Sequence, residues 1–535
     1  MKVPFFGGLS AGKAPDASSL QFRIEQLPVQ FTGTVLAEYD VGLDHIYIVD
    51  ENGSGKYIIS EPSLTEDERR TYSFIMNDLY SSLPGSMEME ADPVQYIEKH
   101  IWEVSERLGI VDQVKEAYPK FKYFITRETT GYRQIDALIS DPDVEEVSCV
   151  GPGKPVQVIQ REFTKYDWLE TNVVFGTEEA LRNFVQKLAM KAGKNVTIAI
   201  PFTDAIMKEG HRVAVTVAGE VTLPGSTFAI RKFPKDPYSI ASILKFGSMS
   251  PLMAAYYWLL IEYRRFTLVI GPMSSGKTSM INALATMIAP NMKIATIEDT
   301  PELNLAHSHW QRFKTRKTYS ITESRFDVDL NDLTILSLRY RPDYIIVGEV
   351  RGAEISALVQ AASLGHGCIS SFHGDSPEAA LVRMTTPPMN VQLGGQLLIS
   401  SFLMMNRVRA ADGSVKRRAV VSKETVPDGD RLRLTEIFSW DAGRDAFLPD
   451  DPDEVVRRSR QLKSIMGLTG WDEAKLSEEL RRRAKLLGGL VRDEKLGYRD
   501  VAEELTKFYH ARYGLGGVAQ PGLTEGEGMK HVPAG

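Results

Sequence analysis

The sequence predicts an α/β protein. A parallel sheet wound with crossover helices fills the C-terminal half, preceded by a linked α/β domain and a small α+β subdomain. Three observations lead there. From about Tyr238 to Tyr513, apolar strands are spaced by helical stretches, the pattern left by parallel strands joined through crossovers. A glycine-rich motif, Gly271-Pro-Met-Ser-Ser-Gly276-Lys277-Thr278, lies between the strand-like Phe266–Ile270 and a helical Ser279–Ile288. Upstream, short strands surround one helix, and 535 residues accommodate several domains of roughly 100–200 residues.

In chain order, residues 1–19 are rich in Gly, Ser and Ala and are expected to be flexible. In the α+β subdomain, residues 20–112, His45–Val49 and Lys56–Ser60 read as a hairpin around a glycine-containing loop. Thr65 and Glu68 form a capping box, followed by one apolar face of Tyr72, Ile75, Met76, Leu79, Tyr80 and Leu83. Asp92-Pro93 opens a second helix whose buried side is Val94, Ile97, Ile101, Val104 and Leu108. The second α/β domain, 113–233, holds strands at Pro155–Ile159, Val213–Val217 and Thr227–Ile230 and a helix near Glu178–Ala192. Two prolines in Phe233-Pro-Lys-Asp-Pro237 remove donors and disfavour helix, so 234–238 is read as a hinge linker. A larger α/β domain follows over 239–513. Within it Leu476, Leu480, Ala484 and Leu487 line one face of a charged helix, and 514–535 are expected to be disordered.

The composition narrows the function classes. Hydrophobic residues are 43% and charged residues 25%, which excludes a disordered or fibrous chain. The net charge of −7 argues against a nucleic-acid binder with a large basic footprint. Cys149 and Cys368 stand far apart, which rules out a disulfide framework or tetracysteine zinc site and fits a reducing compartment. The first residues lack the apolar core of a secretory signal, and the longest apolar run, Pro251–Ile261, is shorter than the ~20 residues a membrane span needs. The expectation is a cytoplasmic chain that acts on a membrane only through a partner.

The glycine motif carries the chemistry. Glycines let backbone N–H groups converge on phosphate oxygens, and a helix N-terminus adds partial positive charge. Gly271, Ser274, Ser275, Gly276, Lys277, Thr278 and Ser279 are therefore assigned to a nucleoside triphosphate. Lys277 is expected on the terminal phosphates and the Thr278 hydroxyl on Mg2+. Lys293–Glu302 reads as a strand ending in Glu298, Asp299 and Glu302; Glu298 or Glu302 is placed to take the proton of an attacking water. Tyr344–Glu349 is a second acidic strand end. Where most phosphate-loop enzymes place an Asp, this chain has Gly348, leaving Glu349 to orient metal-bound water or the nucleophile. Arg351 is its electrostatic partner or a surface charge. His366 and His373 flank Cys368–Phe372 without a third ligand, against zinc, and His373 is placed to contact a γ-phosphate. The basic–aromatic run Trp310–Tyr319 is too short, in an acidic chain, to predict nucleic-acid binding.

In order, Gly271–Thr278, Ile297–Glu302, Arg341–Arg351 and Gly365–His373 resemble four motifs of the type II/type IV secretion ATPase superfamily. They match its Walker A, Asp-box, atypical Walker B and His-box within about 110 residues. Asp141–Val147, Gly210–Val213 and Gly225–Phe233 resemble the family's N-terminal segments, so the likeness covers about 135–440. It is most similar to the archaeal branch, the archaellum motor and type IV pilus assembly ATPases. It lacks the cysteines of the bacterial zinc insertion, and Ser477–Arg483 with Leu486–Tyr498 resembles the archaeal tail. The resemblance implies a RecA-like C-terminal domain hydrolysing ATP with Mg2+, a ring of six copies, and Arg212 and Arg231 brought against the nucleotide. It also implies a polytopic membrane platform as partner, with anionic lipid as a further one, at the inner face of the cell membrane. The activity implied is assembly, or also rotation, of a surface filament. A nucleic-acid-translocating motor, a nucleotide-dependent scaffold with negligible turnover, and a retraction or conjugative role within the family stay open as alternatives.

Overall fold

The computed structural model describes residues 24, 26–82, 92–233, 236–316, 327–410 and 413–513. The chain divides into two units, Met1–Pro234 and Lys235–Gly535. Residues 1–19, 514–535, and Pro234 and Lys235 of the expected linker lie outside the described residues.

The first unit is built on one nine-stranded sheet. Its strands are β1 Thr34–Val41, β2 Asp44–Glu51, β3 Ser54–Ser60, β4 Val144–Cys149, β5 Pro155–Gln160, β6 Leu169–Val174, β7 Phe202–Ile206, β8 Arg212–Thr216 and β9 Thr227–Arg231. The order is β1-β2-β3-β6-β5-β4-β9-β8-β7. The predicted hairpin is β2–β3, with Ile46 opposite Ile59. Its turn holds Asn52 at φ 55° and Gly53 at φ 86°, the left-handed pair a two-residue hairpin turn requires. Strand β3 then joins β6 in parallel through Lys56↔Glu170 and Tyr57↔Thr171. The sheet therefore runs across the 112/113 boundary drawn from the sequence.

What sets residues 64–82 and 92–130 apart is a separate helical core. Helix Glu66–Ser82 starts on the expected capping box: the Glu68 carboxylate accepts from Thr65 N–H, and Thr65 Oγ1 from Glu68 N–H. Helix Pro93–Leu108 is capped by Asp92 and stopped by left-handed Gly109. Tyr72, Ile75, Met76, Leu79, Ile97, Ile101 and Val104 pack with Phe121 and Phe124 of helix Tyr118–Thr129. Three expected core positions are corrected: Tyr80, Val94 and Leu108 are exposed, because the neighbouring helices cover a narrower stripe than the periodicity allows. Leu83 lies outside the described residues.

The second unit holds β10 Phe266–Gly271, β11 Ile294–Glu298, β12 Trp310–Lys314, β13 Tyr344–Val350, β14 Gly367–His373, β15 Ile399–Arg409, β16 Val415–Asp428, β17 Arg431–Asp441 and β18 Ala446–Leu448. They form a sheet in the order β12-β11-β13-β14-β10-β15-β16-β17-β18. Strands β12 to β15 pair in parallel, and β15 to β18 continue as an antiparallel arm. The strand of the glycine motif and β13, which carries Glu349, are separated by β14, the RecA-like arrangement. Apolar side chains cover both faces, which is why β10 and β11 are buried throughout. The apolar run Pro251–Ile261 is a central helix buried from Leu252 to Ile261. Helix Glu473–Arg492 lays Leu476, Leu480 and Leu487 against the same core. Among the described residues, no helix is long and apolar enough to cross a membrane.

Candidate functional site

Strand β10 ends at Gly271, and the chain re-enters a helix at Lys277–Ala285, two residues earlier than predicted, with Gly276 at its N-cap. Gly276 has φ 89°, a left-handed value that favours glycine. At Gly271 a Cβ would run into the Met405 carbonyl and sit 2.7 Å from Ser275 Oγ. That Ser275 hydroxyl is buried and has no hydrogen-bond partner among the described residues, an open donor inside the loop. Lys277 folds back over the loop. Its Nζ donates to the carbonyls of Gly271 (3.1 Å) and Pro272 (2.7 Å) and lies 3.4 Å from His373 Nδ1. Thr278 and Ser279 are half-buried on the first turn of the helix.

The sheet register brings His373 there: Gly271 and His373 are direct partners on β10 and β14. His373 Nε2 lies 3.0 Å from Glu349 Oε1. An ammonium only donates, so Nδ1 facing Lys277 accepts and Nε2 carries the proton toward Glu349. Burial and the neighbouring Lys277 charge both push the imidazole pKa down, which keeps this ring neutral at pH 7. Glu349 also stands 3.5 Å from Arg351 Nε, and Arg351 Nη2 pairs with Asp299 at 2.8 Å. Arg351 is thus a partner of both acidic strand ends. Arg383 donates to the His373 carbonyl at 3.2 Å, and a cleft of about 310 Å³ opens between Pro272, His373, Asp375 and Arg383. His366, in contrast, contacts the Pro342 carbonyl at 2.7 Å.

Glu298 closes β11 and is 4% exposed. Its Oε1 accepts from Glu302 N–H (2.8 Å) and Leu303 N–H (3.0 Å). Burial outweighs those two donors and pushes its pKa up to about 7. Glu302 meets this carboxylate through its backbone. The glycine at 348 now has a physical reason: a Cβ there would sit 3.0 Å from Glu298 Cγ. The Gly348 carbonyl accepts from Ser371 Oγ at 2.6 Å, where the β13–β14 register shifts between Val347 and Val350. The space of the usual Asp belongs to Glu298.

In the first unit, Arg212 and Arg231 are direct cross-strand partners on β8 and β9. Arg212 Nε donates to Asp204 at 3.0 Å, and Arg231 lies exposed at the strand end with its guanidinium 6.0 Å from the Phe233 ring. Arg231 also lies opposite Glu146 on β4, so each arginine has a carboxylate on a neighbouring strand, which offsets the repulsion of like charges placed opposite each other.

Sequence reasoning missed Arg383 and Arg417. Arg417, on β16, donates from Nε to the Ser274 carbonyl at 3.2 Å. The only local signal was the basic triplet Lys416–Arg418, and nothing in it specifies which loop it faces.

Fold and motif geometry together define a class. The chain belongs to the type II/IV secretion system protein family, whose model matches residues 163–420. It is similar to MJ0900 of Methanocaldococcus jannaschii, 30% identical over 502 residues, covering 89% of this chain and 88% of that protein. It also resembles the type IV secretion system protein PtlH of Bordetella pertussis, 33% identical over 189 residues, covering 34% and 52% respectively. Among solved structures, the Legionella pneumophila ATPase DotB aligns over 71% of this chain and 95% of its own, at 14% identity and a TM-score of 0.41.

Proposed function

We propose that the chain is a Mg2+-dependent ATPase motor that powers assembly of an archaellum-like or type IV pilus-like surface filament through a membrane platform protein. The observation that carries the reading is the alignment Lys277–His373–Glu349 at the mouth of a phosphate loop with an open Ser275 hydroxyl. The ammonium of Lys277 rests on two carbonyls, contacts that a terminal phosphate exchanges for stronger charge-assisted ones. Released from the ammonium and set beside the phosphate charge, His373 takes up a proton on Nδ1 and donates it in a hydrogen bond to the γ-phosphate, with Nε2–H still on Glu349. Glu298 or Glu302 takes the proton of the attacking water; the Glu298 value of about 7 suits a base working near neutral pH.

The Thr278 hydroxyl and Glu349 carboxylate are hard oxygen donors of the kind Mg2+ takes. When bound, Mg2+ supplies positive charge against the phosphate oxygens. Arg212 and Arg231 act on the nucleotide in a ring of six copies, where added cationic charge stabilises the transferring phosphoryl group. The archaeal assignment draws support from the match that covers 88% of the M. jannaschii protein. Anionic lipid at the inner face of the cell membrane completes the setting.

The test is ATP hydrolysis by the full chain with phosphatidylglycerol vesicles or with DNA. The reading expects several-fold stimulation by vesicles and none by DNA. Stimulation by DNA that falls steeply with salt would replace it with a translocating motor.

A further inference from the structure

The antiparallel arm that begins at β15 runs directly beneath the phosphate loop. Strand β15 follows β10 in parallel as far as Ile270↔Met404, and its next carbonyl, Met405, occupies the space a side chain at Gly271 would need. The β15–β16 register shifts between Met404 and Met405, and beyond that shift Arg407 lies opposite Arg417. Arg417 reaches back from β16 to the loop. Its Cδ lies 3.1 Å from where a Cβ on Gly276 would stand, and its Nε donates to the Ser274 carbonyl. Ser274 is the loop's left-handed non-glycine residue, with φ 57°. That conformation is disfavoured for an L-residue, so something must hold it.

We infer that Arg417 is a positioning residue for the nucleotide phosphates, acting by fixing the Ser274–Ser275 peptide; this rests on the phosphate-site reading above. The physical link is the planarity of a trans peptide, in which C=O and N–H point in opposite directions. A Ser274 carbonyl held toward Arg417 turns the Ser275 N–H the other way, into the concave side where phosphate oxygens are bound. One guanidinium outside the loop thus aims an amide inside it. Gly276 leaves room for the arginine stem to pass close to the helix start, a second use for a glycine already required by its φ.

The experiment is equilibrium binding of fluorescent N-methylanthraniloyl-ADP to the full chain, its Arg417→Ala and Arg417→Lys variants, and Lys277→Ala as reference. Nucleotide-free melting temperatures are measured alongside. A hydrogen bond from a charged donor predicts about tenfold weaker binding for Arg417→Ala. The same loss is expected for Arg417→Lys, which keeps the charge but has no Nε–H at that point, with the nucleotide-free melting temperature held. Parent-like binding by either variant would overturn the inference. If Arg417→Ala does not fold, Arg417→Lys decides alone. Parent-like binding by Lys277→Ala would instead refute the phosphate-site reading beneath it.

Discussion

Glu298→Gln isolates one proton. The folded carboxyl has a pKa of about 7 against an ordinary value of 4.5, because its burial at the end of β11 outweighs the two N–H donors on one oxygen. The folded value is the raised one, so the folded chain binds the extra proton. Stability is fullest below about 4.5 and is lost as pH rises through about 7. At 1.36 kcal/mol per pKa unit, the raised pKa costs the fold about 3 kcal/mol at pH 8.5, where the folded carboxyl is ionised, and about 1 kcal/mol at pH 5.5, where only the unfolded chain has lost the proton. Gln keeps the carbonyl acceptor for Glu302 and Leu303 N–H and carries no charge. The stability of Glu298→Gln relative to the parent should therefore rise by about 2 kcal/mol between these pH values, several degrees in melting temperature. Thermal melts of both proteins in EDTA, without nucleotide, measure it. Parallel melting-temperature curves across that pH range would refute the reasoning.

Three further outcomes follow from the same geometry. Gly348→Ala places a methyl 3.0 Å from Glu298 Cγ and should cost about 1–3 kcal/mol by overpacking, read from the urea midpoint. His373→Ala removes the bridge between Lys277 and Glu349. It should lower kcat for ATP about 10²-fold while KM moves far less; a change confined to KM would make His373 a binding group only. Arg483 is fully buried, 2.5 Å from Glu262 and 3.7 Å from Glu479, with its guanidinium 4.6 Å from the Trp258 ring. Arg483→Met strands part of that carboxylate charge beside Arg512 and should destabilise the second unit by about 3 kcal/mol in chemical denaturation.

The parts legible in the sequence are those written in local patterns. The β2–β3 hairpin, the capped helices and the strand–loop–helix of the glycine motif each depend on residues within about ten positions, the range over which turn chemistry and periodicity act. The parallel β3–β6 joint brings Lys56 to Glu170, and no local pattern encodes such a pairing; hence the first sheet reads as two domains. The antiparallel arm β15–β18 was likewise hidden inside a stretch that reads as more parallel sheet. At the site, the residue types were visible and their partnerships were not. Gly348 looks like a missing Asp until Glu298 is seen filling its space. Arg417 looks like one of three basic residues until β16 turns it toward Ser274.

The most direct test of the central claim is phosphate release from ATP by the full chain, compared with Lys277→Ala. Mg2+-dependent turnover by the parent is expected, abolished when the ammonium that rests on the Gly271 and Pro272 carbonyls is removed. Substantial turnover by Lys277→Ala, or none by the parent, would contradict it.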